Sequence, residues 1–563
     1  MSSEAINQEQ VVVHGTPVVA GIAYAPAAWT QRPPLPPASA PDLPEDEREA
    51  EIEAFDRAAA AVAERLLQRA EAAEEHAAEV LTMTAGLAKD KGWRREIVKA
   101  IKTGVPAIQA TMAATEKFVL LFEKAGGLMA ERTTDLRDVR DRVIARLQGN
   151  PEPGIPVRDH PIVLLGDDLS PADTAGLDRN DYVAIVTQGG GPTSHTSIIA
   201  RQLGIPCIVA ARELELIPEG AEVLVDASVG TVTMGVPAAE AERLVAEDSA
   251  RLELVRAWRG PGQTQDGVPV QLLANVQDGP TARTAADGQA EGIGLFRTEL
   301  LFLDTATEPS VAEQAGSYGE VFSAFPEGKV VVRTLDAGSD KPVPFATLAE
   351  EANPALGVRG IRVTGHNPEL LTHQLDAIAE ASKKNPGTDV WVMAPMISTV
   401  PEAKWFAGLC RERGLKAGIM IEVPAAVILI DRFIEVVDFV SIGTNDLTQY
   451  TMAADRMSPH LAEYTDPWQP AVLELIQWTA DSGRQHDVPA GVCGEAAADP
   501  LLACVLIGMG ITSLSMASSA VPAVGAQLSQ VTFAQCQAAA EAVREAEDSG
   551  QARALARQAL GLA

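Results

Sequence analysis

Residues 416–446 read KAGIMIEVPAAVILIDRFIEVVDFVSIGTND, which is a strand candidate, a helical stretch and a second strand candidate. Strands that alternate with helical stretches predict a parallel sheet. The same unit recurs from residue 263 to residue 563, with eight strand candidates: VQLLA, GIGLFR, KVVVRTL, VWVMAP, KAGIMIE, DFVSIG, VPAGVCG and ITSLSM. Eight such units in about 300 residues predict a (β/α)8 barrel, a TIM barrel within the α/β class.

Polar residues stand at the ends of several of these strands, where the active site of such a barrel is built. The candidates are Arg297, Arg333, Glu422, Asn445, Asp446, Cys493 and, beyond the sixth strand, Arg456. Paired arginines suit a phosphate or a carboxylate, and two carboxylates suit Mg2+ beside substrate oxygens. The pattern predicts a site for a phosphorylated small acid. For each residue alone, a salt bridge that caps a strand is the alternative.

The five cysteines are widely spaced and include no CxxC pair. This spacing argues against a disulfide framework and against a structural zinc site. Cys493 ends an apolar strand, so it is either a small buried hydrophobic residue or, beside arginines and a metal, a proton donor or acceptor.

The first 262 residues have a different organisation. Strand-like sequence before residue 30 returns after residue 150, and an Ala-, Glu- and Arg-rich helical region separates the two parts. We expect an α/β domain of residues 1–30 and 150–235, with a bundle of three or four helices (31–149) inserted into it. A linker helix (236–262) then leads to the barrel (263–563).

Residues 189–210, GGGPTSHTSIIARQLGIPCIVA, place His195 behind three glycines at the start of a helix. With Thr193 or Ser194 near the N-cap, such a terminus favours a neutral imidazole and offers N–H groups to an attached phosphoryl group. His195 is therefore a candidate nucleophile. A histidine that only caps the helix is the alternative.

The formal net charge is −32. It opposes binding to nucleic acid and to anionic membrane surfaces, and it would attract a small basic protein. No apolar run reaches the roughly 18 residues of a membrane span. The polar start, MSSEAINQEQ, lacks the order of a signal peptide. We expect a cytoplasmic protein that does not insert into membranes.

Several long motifs carry a family resemblance. GGGPTSHTSIIARQLGIPCIVA resembles the phosphohistidine signature of the phosphoenolpyruvate (PEP)-utilising enzymes, and SIGTNDLTQYTMAADR resembles their second signature. The similarity is closest to the Enzyme I family of the bacterial sugar phosphotransferase system. GLFRTELLF, RTLDAGSDK, NPALGVRGIR, IMIEVPAA and CGEAAADP also match, in the expected order over nearly the whole chain.

The resemblance implies a phosphotransferase that moves the phosphoryl group of PEP to His195 and then to the phosphocarrier protein HPr. PEP would be bound by Arg297, Arg333, Arg456 and Asn445, with the backbone of Asp446. Glu422 and Asp446 would hold Mg2+, and Cys493 would protonate the enolate. The helical bundle would bind HPr, and the barrel would form a homodimer.

Departures from the family pattern are small. An extra Gly-Pro step precedes Thr193, Ser339 replaces a usual glycine, and alanines follow Cys493 in place of a Leu-Ala-Gly pattern. They remove no charged or nucleophilic group, so they bear on rate and partner preference.

Two other functions remain as alternatives. A dikinase or PEP synthase would need an ATP-binding domain of roughly 200 residues, and no segment is left for one. A catalytically silent, carrier-binding homologue is the other, although every charged site residue is retained. Because His195 and the barrel mouth lie in different predicted domains, the phosphotransferase requires a swing about the linkers near residues 236–262.

Overall fold

The structure is a computed structural model. It describes residues 10–30, 36–37, 40–71, 75–125, 132–150, 152–156, 158–167, 169, 171–174, 177–191, 194–303, 305, 307–337, 343, 345–347, 351, 353–456, 458–461 and 463–562. The chain divides into two compact units, Met1–Arg251 and Leu252–Ala563. Thr193 and Ser339, which the sequence analysis singled out, lie outside the described residues.

The first unit contains a mixed sheet of eight strands in the order β1-β8-β7-β3-β4-β5-β6-β2. Strand β3 lies inside the sheet, antiparallel to β7 and parallel to β4. Apolar side chains pack on the sheet in two clusters. The strands are β1 (Val11–His14), β2 (Thr16–Val19), β3 (Ile22–Trp29), β4 (Ile162–Gly166), β5 (Tyr182–Thr187), β6 (Cys207–Val209), β7 (Glu222–Asp226) and β8 (Thr231–Met234).

Between β3 and β4 the described residues form five helices, where the sequence predicted three or four. The extra boundaries have local causes: the Asp90 side chain accepts a hydrogen bond from the Trp93 N–H and starts a helix, and Gly104 (φ +102°) follows its end. The helices are α1 (Arg48–Glu71), α2 (Glu75–Ala88), α3 (Lys91–Lys102), α4 (Ala107–Ala125) and α5 (Thr133–Leu147).

A buried arginine joins these helices to the chain that follows them. Arg142 on α5 donates to Asp138 (2.7 Å), and to Asp173 beyond the bundle (3.0 Å). Its Nη1 also lies 3.8 Å from Glu152 Oε2. Because three carboxylates surround one guanidinium, the burial of this charge is compensated.

Three more helices complete the first part of the chain: α6 (Pro171–Thr174), α7 (His195–Leu203) and α8 (Ala238–Ala257). Asp248 ties α8 to the start of β3, since its carboxylate accepts a hydrogen bond from the Ile22 N–H (2.9 Å) and another from Arg251 (2.6 Å). Of the helices that the structure describes, none combines the length and the apolar character that crossing a membrane requires.

The second unit is a closed barrel of eight parallel strands, β9 to β16, in which β16 returns to pair with β9. The predicted fold class is confirmed, and each predicted strand coincides with an observed one. The strands are β9 (Gln271–Val276), β10 (Gly292–Arg297), β11 (Lys329–Arg333), β12 (Asp389–Ala394), β13 (Lys416–Ile421), β14 (Phe439–Gly443), β15 (Ala490–Cys493) and β16 (Ser513–Met516).

Helices surround the barrel and bury its outer face in one large apolar core. They are α9 (Gly279–Asp287), α10 (Leu300–Leu303), α11 (Val311–Ser323), α12 (Pro368–Lys384), α13 (Val400–Arg411), α14 (Pro424–Ile428), α15 (Ile430–Ile434), α16 (Thr444–Met452), α17 (Pro470–His486), α18 (Glu495–Ala498), α19 (Pro500–Met509), α20 (Val521–Leu528), α21 (Phe533–Ala542) and α22 (Ser549–Leu560).

Helices α19 and α21 approach each other at a glycine. A Cβ added to Gly508 would lie 2.0 Å from the carbonyl oxygen of Cys536. Only a residue without a side chain allows the two backbones to pack this closely.

At the start of the strands, the barrel holds a half-buried lysine. Lys329 Nζ lies 3.7 Å from the centroid of the Trp391 ring, and the Trp391 Nε1–H donates to Asp389 (2.7 Å). Burial lowers the pKa of Lys329 to about 8, although the charge of Asp389 opposes this shift.

Candidate active site

A cavity of about 540 Å³ opens at the carboxyl ends of the barrel strands. Its lining includes all seven predicted barrel residues: Arg297, Arg333, Glu422, Asn445, Asp446, Arg456 and Cys493. Parallel strands bring these residues together because their carboxyl ends meet at one rim. Asp336 and Arg359, which the sequence analysis did not select, line the same cavity.

Arg333 is the last residue of β11 and is buried. Its guanidinium forms ion pairs with Glu299 and with Asp336 (Nη1 to Oδ2, 3.2 Å). Among the described residues, Arg333 Nε and Glu299 Oε2 are buried without a hydrogen-bond partner. A buried N–H group without a partner is costly, so Arg333 retains a donor for an anion.

Arg359 lies between two carboxylates. It donates to Asp336 through Nε (3.1 Å) and Nη2 (3.0 Å), and to Asp446 through Nη1 (2.7 Å) and Nη2 (3.1 Å). It lies on the segment between β11 and α12 and not at a strand end, which is why the strand-end rule missed it. Its signal was present in NPALGVRGIR, which also matched the family pattern.

Glu422 follows β13 and is almost fully buried. Its Oε2 accepts a hydrogen bond from the Met396 N–H (2.8 Å). Burial, and then the negative charges of Asp446 and Asp336, raise the pKa of Glu422 well above its ordinary value. A Cβ at Gly443 would lie 2.8 Å from Glu422 Oε1, so the glycine makes room for this carboxylate.

The carboxylates of Glu422 and Asp446 fit a hard divalent cation. The charge of Asp446 disfavours the charged form of Glu422, and a cation between the two carboxylates would relieve this repulsion. In the described part of the chain, no group of three or more His, Cys, Asp or Glu side chains could hold a metal. Two carboxylates suit Mg2+, which keeps water ligands and takes substrate oxygens.

Cys493 ends β15 inside the barrel, beside Leu295 and Met420. Its Sγ accepts a hydrogen bond from Ser441 Oγ (3.4 Å) and lies 3.5 Å from the Ile442 carbonyl oxygen. Burial raises the pKa of this thiol to about 11. The side chain is thus both buried and part of the cavity lining, and it is protonated at neutral pH.

Asn445 and Arg456 flank Asp446 at the cavity. Asn445 lies in the first turn of α16, and its Oδ1 accepts a hydrogen bond from the Glu495 N–H (3.3 Å). Arg456 follows α16, and its Nη1 lies 3.7 Å from Asp446 Oδ2. The cavity therefore combines cationic donors with carboxylates, as a site for an anion and a cation requires.

His195 lies in the first unit and is the first residue of α7. The N-cap is Ser194, whose Oγ accepts a hydrogen bond from the Ser197 N–H (3.3 Å). Ser197 Oγ donates to the Gly191 carbonyl (2.7 Å), which fixes the glycine loop against the helix. The His195 side chain is not among those that the structure describes.

Three family models match the chain. They are the PEP-utilising enzyme N-terminal domain at residues 14–132, the mobile domain at 158–230 and the PEP-binding domain at 253–533. The PEP-binding match covers every strand of the barrel.

Curated relatives match along most of the chain. A phosphoenolpyruvate-protein phosphotransferase of Streptomyces coelicolor is 45% identical over 93% of this chain and 94% of its own length. One of Haloferax volcanii is 39% identical over 80% of this chain and 82% of its own. A multiphosphoryl transfer protein of Xanthomonas campestris is 41% identical over 77% of this chain and 54% of its own. The chain belongs to the family of PEP-utilising enzymes.

Proposed function

We propose that this chain is a PEP-protein phosphotransferase, which passes the phosphoryl group of PEP first to His195 and then to the small phosphocarrier protein HPr. The observation that carries the proposal is the barrel cavity, in which arginines, two carboxylates and a buried thiol converge. The relatives that match nearly the full chain bear the name of this activity.

In the first step the arginines orient the substrate. Arg297, Arg333 and Arg456 bind its phosphate and carboxylate, and Asn445 supports them with the backbone of Asp446. Mg2+ held by Glu422 and Asp446 would supply charge neutralisation at the phosphoryl oxygens. His195 attacks phosphorus, so that a P–N bond forms while the bond to the enolate oxygen breaks.

The leaving enolate needs a proton at carbon. Cys493 is the proposed donor because its thiol lines the cavity and holds its proton at neutral pH. Pyruvate forms when that proton is transferred, and the thiolate regains a proton from solvent.

In the second step the phosphohistidine meets the carrier. We propose that the helices α1 to α5, within residues 31–149, bind HPr, and that the α/β domain of residues 1–30 and 150–235 carries the phosphoryl group to it. The net charge of −32 favours a basic docking face on the carrier. The hydrogen bonds of Asp248 hold this part of α8 against the α/β part, and we propose that the swing takes place about the linker of residues 236–262.

We further propose a cytoplasmic homodimer that assembles through the barrel domain, residues 263–563. Large apolar side chains on the barrel exterior support it, since Trp405 is 42% exposed and Ile428 is 69% exposed. Sedimentation velocity of the wild type and of Ile428→Asp tests the assembly. A wild type that stays monomeric at micromolar concentration would refute it.

The relay itself is tested with labelled PEP and Mg2+ in the absence of nucleotide. We expect acid-labile label on the wild type, none on His195→Ala, and wild-type labelling of His160→Ala, an exposed histidine of the same unit. Addition of HPr should remove the label from the wild type. A silent carrier-binding homologue would take no label. A dikinase or synthase would take label from PEP but would pass it to nucleotide and not to HPr, so removal of the label by HPr distinguishes the phosphotransferase. Label that persists in His195→Ala would reject the nucleophile.

A further inference from the structure

Asp446 is one of the two carboxylates proposed to hold Mg2+, yet both of its oxygens are already engaged. Oδ1 accepts from Arg359 Nη1 at 2.7 Å, and Oδ2 accepts from Nη2 at 3.1 Å. This paired arrangement directs two N–H groups at the two oxygens of one carboxylate. The guanidinium therefore occupies the side of Asp446 that a bidentate cation would use.

Arg359 is held in this position from its other edge. Asp336 accepts from Nε at 3.1 Å and from Nη2 at 3.0 Å, and the Tyr450 hydroxyl lies 3.3 Å from Nη1. The residue is only 4% exposed. Both carboxylates thus bind the Arg359 guanidinium, although Asp336 also pairs with Arg333 and Asp446 lies 3.7 Å from Arg456. Asp336 anchors the guanidinium whether or not Asp446 is bound.

A divalent cation on Asp446 would lie beside the guanidinium. Like charges at such distances repel strongly where water is excluded. The Arg359–Asp446 pair and a cation therefore oppose each other. The pair weakens when another anion draws on the same N–H groups, and Arg359 lines the cavity where such an anion would enter.

We propose that Arg359 is a positioning residue that makes cation binding at Asp446 depend on the anionic substrate. An anion in the cavity takes N–H groups of Arg359 from Asp446, and the freed carboxylate then binds the cation together with Glu422. Asp336 keeps the guanidinium in the cavity during this exchange. The identity of the anion as PEP rests on the proposed function; the competition between Arg359 and the cation does not.

The test measures binding of Mn2+ as the probe, from the signal of free Mn2+ in electron paramagnetic resonance. Every protein carries His195→Ala so that PEP is not consumed. Without PEP, we expect Arg359→Met to lower the Kd for Mn2+ by about tenfold, within the usual range of coupling between sites. With PEP, the Kd should fall in both proteins because the substrate oxygens also bind the cation, but it should fall about tenfold further in the Arg359-containing protein than in Arg359→Met.

Three controls give the result its meaning. Arg362 is a nearby arginine that donates hydrogen bonds to the Gly357 carbonyl and to Ser398 Oγ. The variant Arg362→Met should leave the Kd for Mn2+ unchanged. Asp446→Asn should abolish the tight binding in the Arg359→Met background, which assigns that binding to Asp446. If circular dichroism shows that Arg359→Met is unfolded, Arg359→Lys replaces it. Its single ammonium cannot pair with both oxygens, and an intermediate Kd is expected.

The outcomes separate the two proposals. Mn2+ binding that is equal or weaker in Arg359→Met, or absent from both proteins, overturns the role of Arg359. Tighter binding in Arg359→Met with no greater effect of PEP on the parent protein than on Arg359→Met upholds the competition and contradicts PEP as the anion. If these binding results are obtained but the wild type takes no label from PEP in the labelling assay, the proposed function alone is contradicted.

Discussion

Cys493 is either a small buried hydrophobic residue or a proton donor, and a variant distinguishes the two roles. We expect Cys493→Ala to slow pyruvate formation by about 100-fold or more, because the enolate would lose its proposed proton donor. Transfer from phosphohistidine to HPr should be unchanged, since the proposed second step uses no barrel residue. A coupled assay for pyruvate and a chase of labelled protein with HPr measure the two steps.

The matched control is Cys410→Ala, another fully buried cysteine, which lies on α13 and does not line the cavity. It should leave both steps unaffected. Equal slowing in the two variants would mean that Cys493 acts only through packing.

Lys329 gives the stability a defined dependence on pH. Its pKa falls from 10.5 to about 8 on burial, so between these values the unfolded chain binds more protons and stability rises with pH. Below pH 8 the cost of the buried charge is fully present. We expect Lys329→Met to stabilise the barrel at pH 7 by about 1–2 kcal/mol, after the lost attraction of the Trp391 ring is deducted.

The measurement is the melting temperature of the barrel at pH 7 and at pH 10. The advantage of Lys329→Met should diminish as the pH rises toward 10.5. Lys404 is exposed, so Lys404→Met should show no such trend. An advantage that is the same at both pH values would exclude the buried charge as its cause.

The sequence identified the cavity residues that stand at or soon after strand ends, but it missed Asp336 and Arg359. Glu422 directly follows β13, and Asp446 lies in the first turn of the helix that follows β14. The parallel direction of the two strands alone implies that these residues meet. Arg359 reaches the cavity from a loop whose path no periodicity describes. Its pairing with Asp336 and Asp446 depends on where that loop folds back, which is a tertiary contact.

At the scale of the element, the contact of α19 with α21 depends on Gly508. We expect Gly508→Ala to destabilise the barrel by about 1–3 kcal/mol, because its Cβ would overlap the backbone of Cys536. Gly316→Ala is the matched change, since α11 leaves open space around its Cβ. It should stabilise by up to about 1 kcal/mol through helix propensity.

Thermal unfolding of the two variants measures this difference. Equal effects of Gly508→Ala and Gly316→Ala would mean that the helices separate at little cost.

The elements themselves were predicted unevenly. All eight barrel strands were located, because a strand buried on both faces is a short continuous apolar run bounded by turns. The predicted number of helices in the bundle, three or four, was wrong, since the described residues form five. The sequence of the bundle is Ala-rich throughout, so the composition does not show where one helix ends and the next begins. Single capping residues such as Asp90 determine these boundaries.

At the scale of the molecule, two compact units with separate cores predict two unfolding transitions. Ile185→Ala in β5 and Ile419→Ala in β13 each remove a fully buried side chain, at a cost of about 2–5 kcal/mol. Scanning calorimetry of the full chain should show each variant lowering one transition, and a different one. A single transition that both variants shift would show that the units unfold together.

The order of strands in the first unit determines when strand β3 can pair with its neighbours during synthesis. Strand β3 leaves the ribosome early, but its neighbours β4 and β7 follow only after α1 to α5. At typical rates of about 5–20 residues per second, β3 waits on the order of 10 seconds with both edges unpaired. The bundle can form during that time, and the sheet closes around a completed insert. Synthesis thus leaves an apolar strand exposed, and chaperones that hold such segments would act at this stage.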